Sequence, residues 1–285
     1  MSQVKIIECP RDAMQGIKSH FIPSVEKARY INALLKVGFD TIDFGSFVSP
    51  KAIPQMRDTA EVLSLLDLDT TSSKLLAIVA NVRGAEDACR FEQIQYLGFP
   101  FSISENFQMR NTGKTIAQSL VTLKGILELA TIHKKEVVAY LSMGFGNPYG
   151  DPWNYDIVGN WTETLAKLGV KILSLSDTIG VADGKTIRYL FEHLIPMYPA
   201  IEFGAHMHTN PDSWHEKVSA AFDAGCHRFD GAIKGFGGCP MAKDELTGNM
   251  PTEKLLSFFT SRKVETGLNP LRFEVAYNEA MNVFG

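Results

Sequence analysis

The chain has 285 residues, 45% of them apolar and 21% charged, with a formal net charge of -4. That balance belongs to a folded globular protein long enough for two ordinary domains or one large α/β barrel. It carries no basic footprint for nucleic acid, no polybasic membrane patch, and no apolar run near the roughly 20 residues that a bilayer helix needs.

The opening "MSQVKIIECPRD" turns strand-like at once, so the expectation is of no signal peptide and no Arg-rich transit segment. The four cysteines, Cys9, Cys89, Cys226 and Cys239, are scattered without a CxxC pair. They read as reduced thiols, and the expected location is the cytoplasm.

Short apolar, often β-branched runs at 4–9, 41–46, 75–80, 94–99, 137–142, 172–177, 201–208 and 228–233 predict eight strands. Helical spacing fills most intervals, as in "SVEKARYINALLKVG" (24–38), "DIVGNWTETLAKLGV" (156–170) and "DSWHEKVSAAFDAGC" (212–226), each closing on a glycine before the next strand. The interval between the third and fourth strands allows only a brief helix. From Pro251 onward the pattern predicts two further helices. No linker divides the chain, so we expect one catalytic domain over residues 1–285, with a helical extension from about 251. The fold class is α/β, a (β/α)8 TIM barrel, with an open doubly wound sheet as the competitor.

In a parallel barrel, reactive groups collect at the carboxyl ends of the strands. Arg11 and Asp12 follow the first strand, Asp43 lies in the second, Asp177 ends the sixth, and His206 and His208 end the seventh. The eighth runs into "GFGGCPMAKDELTGN" (235–249), with Cys239 and Asn249. Singly, each has a structural explanation as a cap, a turn residue or a small buried thiol. Together, polar and titratable groups recur at one end of five predicted strands.

Residues i and i+2 of a strand share a face, so the two imidazoles of "HMH" stand side by side. With Asp12 and Asn249 they would offer two nitrogens and two oxygens. That set suits an octahedral divalent cation, Mg2+ or Mn2+, with positions left open for substrate oxygens; Zn2+ is compatible with the same donors.

"ECPRDAMQG", "SFVSPKAIPQM", "SDTIGV", "HMH" and "GGCP…TGN" occur in the order found in the 3-hydroxy-3-methylglutaryl-CoA lyases, and almost the whole chain resembles that family. The family lies among the metal-dependent lyase and Claisen-type barrels. The resemblance implies cleavage of 3-hydroxy-3-methylglutaryl-CoA to acetyl-CoA and acetoacetate, a step of leucine breakdown. It implies an acyl-CoA as the partner, with no nucleic acid or membrane, and a possible homodimer. Asp12, His206, His208 and Asn249 would hold the metal. Arg11 would face the thioester carbonyl, adding roughly 3–4 kcal/mol beside a forming enolate oxygen. Cys239 would be a loop thiol, and Asp43 and Asp177 the carboxylates near the reacting hydroxyl. "NVRG" (81–84) and "SEN" (104–106) would line the acyl pocket, and Lys18 matches a lysine on the CoA side.

The chain departs from the family pattern at Ala13, where glycine is usual, at Asp43 in place of glutamate, and at Thr209 in place of aspartate. The fifth-strand exit "SMGFGNPYG" also lacks the usual cysteines. Two other functions stay open on the sequence. One is a Claisen-type acyltransferase joining acetyl-CoA to a 2-oxo acid; the other is a silent metal-binding barrel.

Overall fold

All eight apolar runs become strands: β1 (Lys5–Glu8), β2 (Thr41–Ser46), β3 (Lys74–Ile78), β4 (Ile94–Ser102), β5 (Glu136–Ser142), β6 (Ile172–Asp177), β7 (Glu202–Thr209) and β8 (Arg228–Gly231). They are seen in a computed structural model, which describes residues 4–238 and 247–285. Each strand pairs in parallel with the next, and β8 returns to β1 over Lys5↔Arg228 to Glu8↔Gly231. The sheet therefore closes into a barrel, which removes the open-sheet alternative. Strands covered on both faces need apolar side chains on both, and every residue of β2 and of β6 is buried.

Helices fill the outer ring: α1 (Pro10–Gln15), α2 (Ser24–Leu35), α3 (Thr59–Ser64), α4 (Val82–Cys89), α5 (Glu105–Thr112), α6 (Ile116–Ile132), α7 (Tyr155–Lys167), α8 (Gly184–Met197) and α9 (Trp214–Asp223). The brief helix expected between the third and fourth strands is α4, with 8 residues. The three helices predicted at 24–38, 156–170 and 212–226 stop two or three residues before their closing glycines, at Leu35, Lys167 and Asp223. Gly38, Gly169 and Gly225 have φ of +98°, +98° and +93°. They make the left-handed turn into the next strand instead of a last helical residue.

The eighth strand ends at Gly231, not 233, because Ile233–Gly235 form a turn of 3-10 helix. Beyond it lie a two-residue strand, β9 (Gly248–Asn249), and the two expected terminal helices, α10 (Thr252–Ser261) and α11 (Pro270–Phe284). α11 lies on α2, with Tyr30 and Phe284 edge to face at 5.9 Å and Arg29 paired to Glu279 at 2.8 Å.

Among the described residues no single helix is long and apolar enough to cross a membrane. The bent pair Glu105–Thr112 and Ile116–Ile132 meets the length and composition test together, but with a 58° bend between its halves. Leu123, Ile126 and Ala130 of α6 are buried in the protein.

Candidate metal centre

The site is assembled from β1, β7 and β9. Pro10 presets the first helical φ directly after β1, so Arg11 and Asp12 fall in the first turn of α1, both buried. His206 and His208 share the inner face of β7, with ring centroids 5.4 Å apart. β9 runs antiparallel to β7 with Asn249 opposite His208. Thr209 helps to hold it, donating its hydroxyl to the Asn249 carbonyl at 3.3 Å. Asn249 Nδ2 then donates to Asp12 Oδ2 at 2.8 Å and to the Phe236 carbonyl at 2.8 Å. Residues 237 positions apart thus meet beside the two imidazoles.

Gly237 brings the loop across α1. A Cβ on it would stand 2.7 Å from the Asp12 carbonyl oxygen and 2.8 Å from the Ala13 Cα. This close passage lies over Ala13, one of the departures from the family pattern.

Ligand atoms of Asp12, His206 and His208 all lie within 4.8 Å of one another. Two further atoms fit a cation there. Among the described residues His208 Nδ1 and Asn249 Oδ1 are buried without a hydrogen-bond partner, although the Asn249 amide nitrogen is fully engaged. Asp230 Oδ2 accepts from His206 Nδ1 at 3.0 Å. A carboxylate can only accept, so the proton sits on Nδ1 and Nε2 is left to bind.

The electrostatics match this arrangement. Burial, reinforced by the neighbouring His206, pushes His208 down to about 4, so its ring is neutral at pH 7. Burial also opposes charge on His206, but the hydrogen bond to Asp230 and the charges of Asp230 and Asp12 outweigh it and raise its pKa. Asp12 is lowered: Arg11 and the two histidines overcome its burial. Two imidazoles, a carboxylate and an amide oxygen are a donor set that suits a divalent cation, and the buried lone atoms have no other partner among the described residues.

Arg11 reaches both oxygens of Asp43 through Nε, at 3.1 and 3.0 Å, and Asp12 Oδ1 through Nη1 at 2.9 Å. Burial works against its charge, but Asp43 and Asp12 more than compensate and raise its pKa. Asp43 is pushed up to about 6 by burial against the pull of Arg11, and is still ionised at pH 7.

Next to the ligands is a cavity of about 180 Å³. Arg11, Asp12, His206, His208 and Gly238 line it, with Ser142, Ser176 and Thr178 on a polar wall and Ile53, Ile78 and Phe107 on an apolar one. A larger hollow of about 440 Å³ between α2 and α11 has none of these groups on its walls.

Several expectations need correction. Asp43 stands behind Arg11 and does not line the cavity. Asp177 does not reach it either. Its Oδ2 accepts from Lys217 Nζ at 2.6 Å and its Oδ1 from the Ala182 N–H at 3.1 Å. In register it pairs with Met207, whose side chain points away from the histidine face. Asn81 and Ser104 are helix N-caps, accepting from the N–H groups of Gly84 and Phe107, while Ala80 and Phe107 supply the cavity wall. Lys18 is exposed. Cys239 lies outside the described residues.

Sequence reasoning missed Gln15, which donates to Asp12 Oδ1, and Asp230. Gln15 sits at i+3 from Asp12 on a helix, a spacing that could have flagged it. Asp230 lies inside the strand predicted at 228–233.

An Asp–His–His–Asn cluster at the carboxyl ends of a parallel barrel places the protein among the divalent-metal (β/α)8 barrels. The profile of the family described as HMGL-like matches residues 3–277. The chain is 32% identical to hydroxymethylglutaryl-CoA lyase YngG of Bacillus subtilis, covering 91% of this chain and 85% of that protein. It is 31% identical to the 3-hydroxy-3-isohexenylglutaryl-CoA/hydroxy-methylglutaryl-CoA lyase of Pseudomonas aeruginosa, covering 94% and 88%. The solved structure of an HMG-CoA lyase from Acinetobacter baumannii, in complex with coenzyme A and 3-methylmalate, superposes with a TM-score of 0.89 at 28% identity, covering 98% of this chain and 90% of that one. The chain belongs to the HMG-CoA lyase family within the HMGL-like barrels.

Proposed function

We propose that this protein cleaves 3-hydroxy-3-methylglutaryl-CoA, or a closely related 3-hydroxyacyl-CoA, to acetyl-CoA and acetoacetate or its counterpart, with Mg2+ or Mn2+ as the cation. The observation that carries this reading is the meeting of Asp12 and Asn249 at the two imidazoles, with Arg11 on the same cavity wall. Family membership and the lyase names of the relatives supply the substrate class.

The reaction removes the proton of the tertiary hydroxyl, breaks the C2–C3 bond, and leaves a ketone and the enolate of acetyl-CoA. The enolate then takes up a proton at carbon. Asp12, His206, His208 and Asn249 would hold the cation, whose contribution is to acidify the hydroxyl and fix its orientation. Arg11 presents a guanidinium whose direction is set by Asp43 and Asp12, so a permanent positive charge waits where the enolate oxygen forms. Asp43 then serves as the counter-ion that aims Arg11.

Because neither Asp43 nor Asp177 reaches the cavity, and both ring nitrogens of His206 are engaged, one by Asp230 and one by the cation it would hold, the hydroxyl proton is assigned to the Asp12 carboxylate on the wall. Cys239, carried on the glycine loop, is the thiol proposed to protonate the enolate or to close the site against water.

The test is direct. Purified protein with the hydroxymethylglutaryl thioester and Mg2+ or Mn2+ is expected to release acetoacetate, and a chelator to stop it. Absence of product with both ions overturns the proposal.

A further inference from the structure

Beneath the metal ligands one side of the barrel interior is polar, across from an apolar cluster that includes Leu76, Ile78, Val138 and Ile172. Arg228 and Asp230 stand two apart on β8 and so project from one face; Arg228 is 1% exposed. Its Nη1 reaches Glu202 at 3.4 Å and Asp40 at 3.8 Å, toward the amino ends of the strands. Among the described residues its Nε and Nη2 have no partner, and neither do Asp230 Oδ1, Ser174 Oγ and the Tyr140 hydroxyl, all of them buried.

The register sets these groups in one band. Tyr140 pairs with Ser174, Ser174 with Gly204, and Ala205 with Phe229, the residue between Arg228 and Asp230. Gly204 keeps the band open: a Cβ there would lie 3.2 Å from both Arg228 Cδ and Ser174 Oγ. Free guanidinium donors and a free carboxylate oxygen on the same face, with two hydroxyls beside them, are the partners a buried water takes.

We propose that Arg228 is a positioning residue for the metal centre, acting through bridging water on Asp230 and through Asp230 on the His206 ring. This rests on the metal-centre reading given above. Asp230 Oδ2 holds the Nδ1–H of His206 at 3.0 Å and so directs Nε2 toward the cation. The other oxygen, Oδ1, is what Arg228 anchors. The planar fork suits this task, since Nη1 holds Glu202 while Nε and Nη2 remain for the water. Gly204 lets Arg228 and Ser174 approach the strand between them.

The experiment is calorimetric titration of the metal-free protein with Mn2+ alone, at one pH, with a thermal melt of each variant. Asp230→Asn is expected to weaken Mn2+ binding about 10–100-fold, the range for groups that orient a ligating histidine. Arg228→Met is expected to weaken it about tenfold, and the double variant no further than Asp230→Asn alone, because the two act in series. Gly204→Ala, whose methyl would press on Arg228 Cδ and Ser174 Oγ within the band, is expected to weaken it several-fold.

Unchanged Mn2+ affinity in a folded Arg228→Met overturns the inference, as do additive losses in the double variant. Should Arg228→Met not fold, Gly204→Ala decides in its place, and unchanged affinity there is equally fatal. Wild-type protein that binds no Mn2+, or binds it regardless of His208→Ala, overturns the metal-centre reading and this inference with it.

Discussion

Arg11 is the residue on which charge, position and chemistry meet. Its guanidinium is shared between Asp43 and Asp12, both buried, so its orientation is fixed before any substrate arrives. A lysine keeps the charge but cannot fork between two carboxylates, and it would leave Asp43 in a buried place with a weaker partner. Arg11→Lys is therefore expected to lower kcat by about 10²–10³-fold, the scale of one preorganised oxyanion donor. Mn2+ affinity should change only a few-fold, because the ligating atoms remain. Steady-state kinetics beside metal titration check this, and an unchanged kcat would remove Arg11 from the chemistry. At this scale the "HMH" pair and the Arg-Asp pair were legible, because strand alternation and strand-end placement fix where such side chains go. The roles of Asp43 and Asp177 were not. Register turns Asp177 to the outer layer beside Met207, whereas Asp43 faces inward beside Leu76 and is held behind Arg11, a tertiary contact that strand alternation does not reveal.

Three elements meet at Lys217, a residue of the helix predicted at 212–226 for which the sequence suggested no role. From α9 its ammonium donates to Asp177 at the end of β6, to the Gly180 carbonyl in the turn beyond, and to the His208 carbonyl on β7. Lys217 is 2% exposed and Asp177 1%. The pair thus fastens the β6 turn to the strand that carries both imidazoles. Removing one partner strands a buried charge, so Lys217→Met is expected to cost about 3–5 kcal/mol in a denaturant titration. Replacing both, as Lys217→Met with Asp177→Leu, should recover most of that loss, since paired apolar groups need no counter-charge. A double variant as unstable as the single one would refute this account. The strands and most helices could be read in advance because apolar periodicity is dense there. β9 could not. Two residues have no period, and their pairing with β7 depends on the loop that delivers them.

For the whole molecule, closure matters most. Eight strand-like runs and their helices were enough to foresee a barrel, but not how the segment after β8 is fastened to it. Glu8 does part of that. From the end of β1 its Oε1 accepts from the Ile233 N–H at 2.9 Å and its Oε2 from the Thr252 hydroxyl at 2.6 Å. It thereby ties down both ends of the stretch that carries Asn249, and the start of α10. Burial is the main cause that pushes Glu8 up to about 8, against the two hydrogen bonds. A carboxyl whose folded pKa stands above its unfolded value of 4.5 favours the folded state while both forms are protonated, below pH 4.5. As pH rises from 4.5 to 8, unfolding releases a proton that folding must retain, so stability falls by about 1.4 kcal/mol per pH unit from this group. Above pH 8 the folded form carries a buried anion and the loss is complete, several kcal/mol in all. Glu8→Gln keeps the shape and one acceptor, and its amide can donate to the Thr252 hydroxyl in place of the acid proton. Denaturant midpoints measured for both proteins from pH 4.5 to 9 should nearly coincide at the acid end. They should then separate, with the variant the more stable by a few kcal/mol at pH 8. Parallel curves would mean that Glu8 ionises as an ordinary carboxyl, and the charge-neutral tie between β1 and α10 would have to be given up.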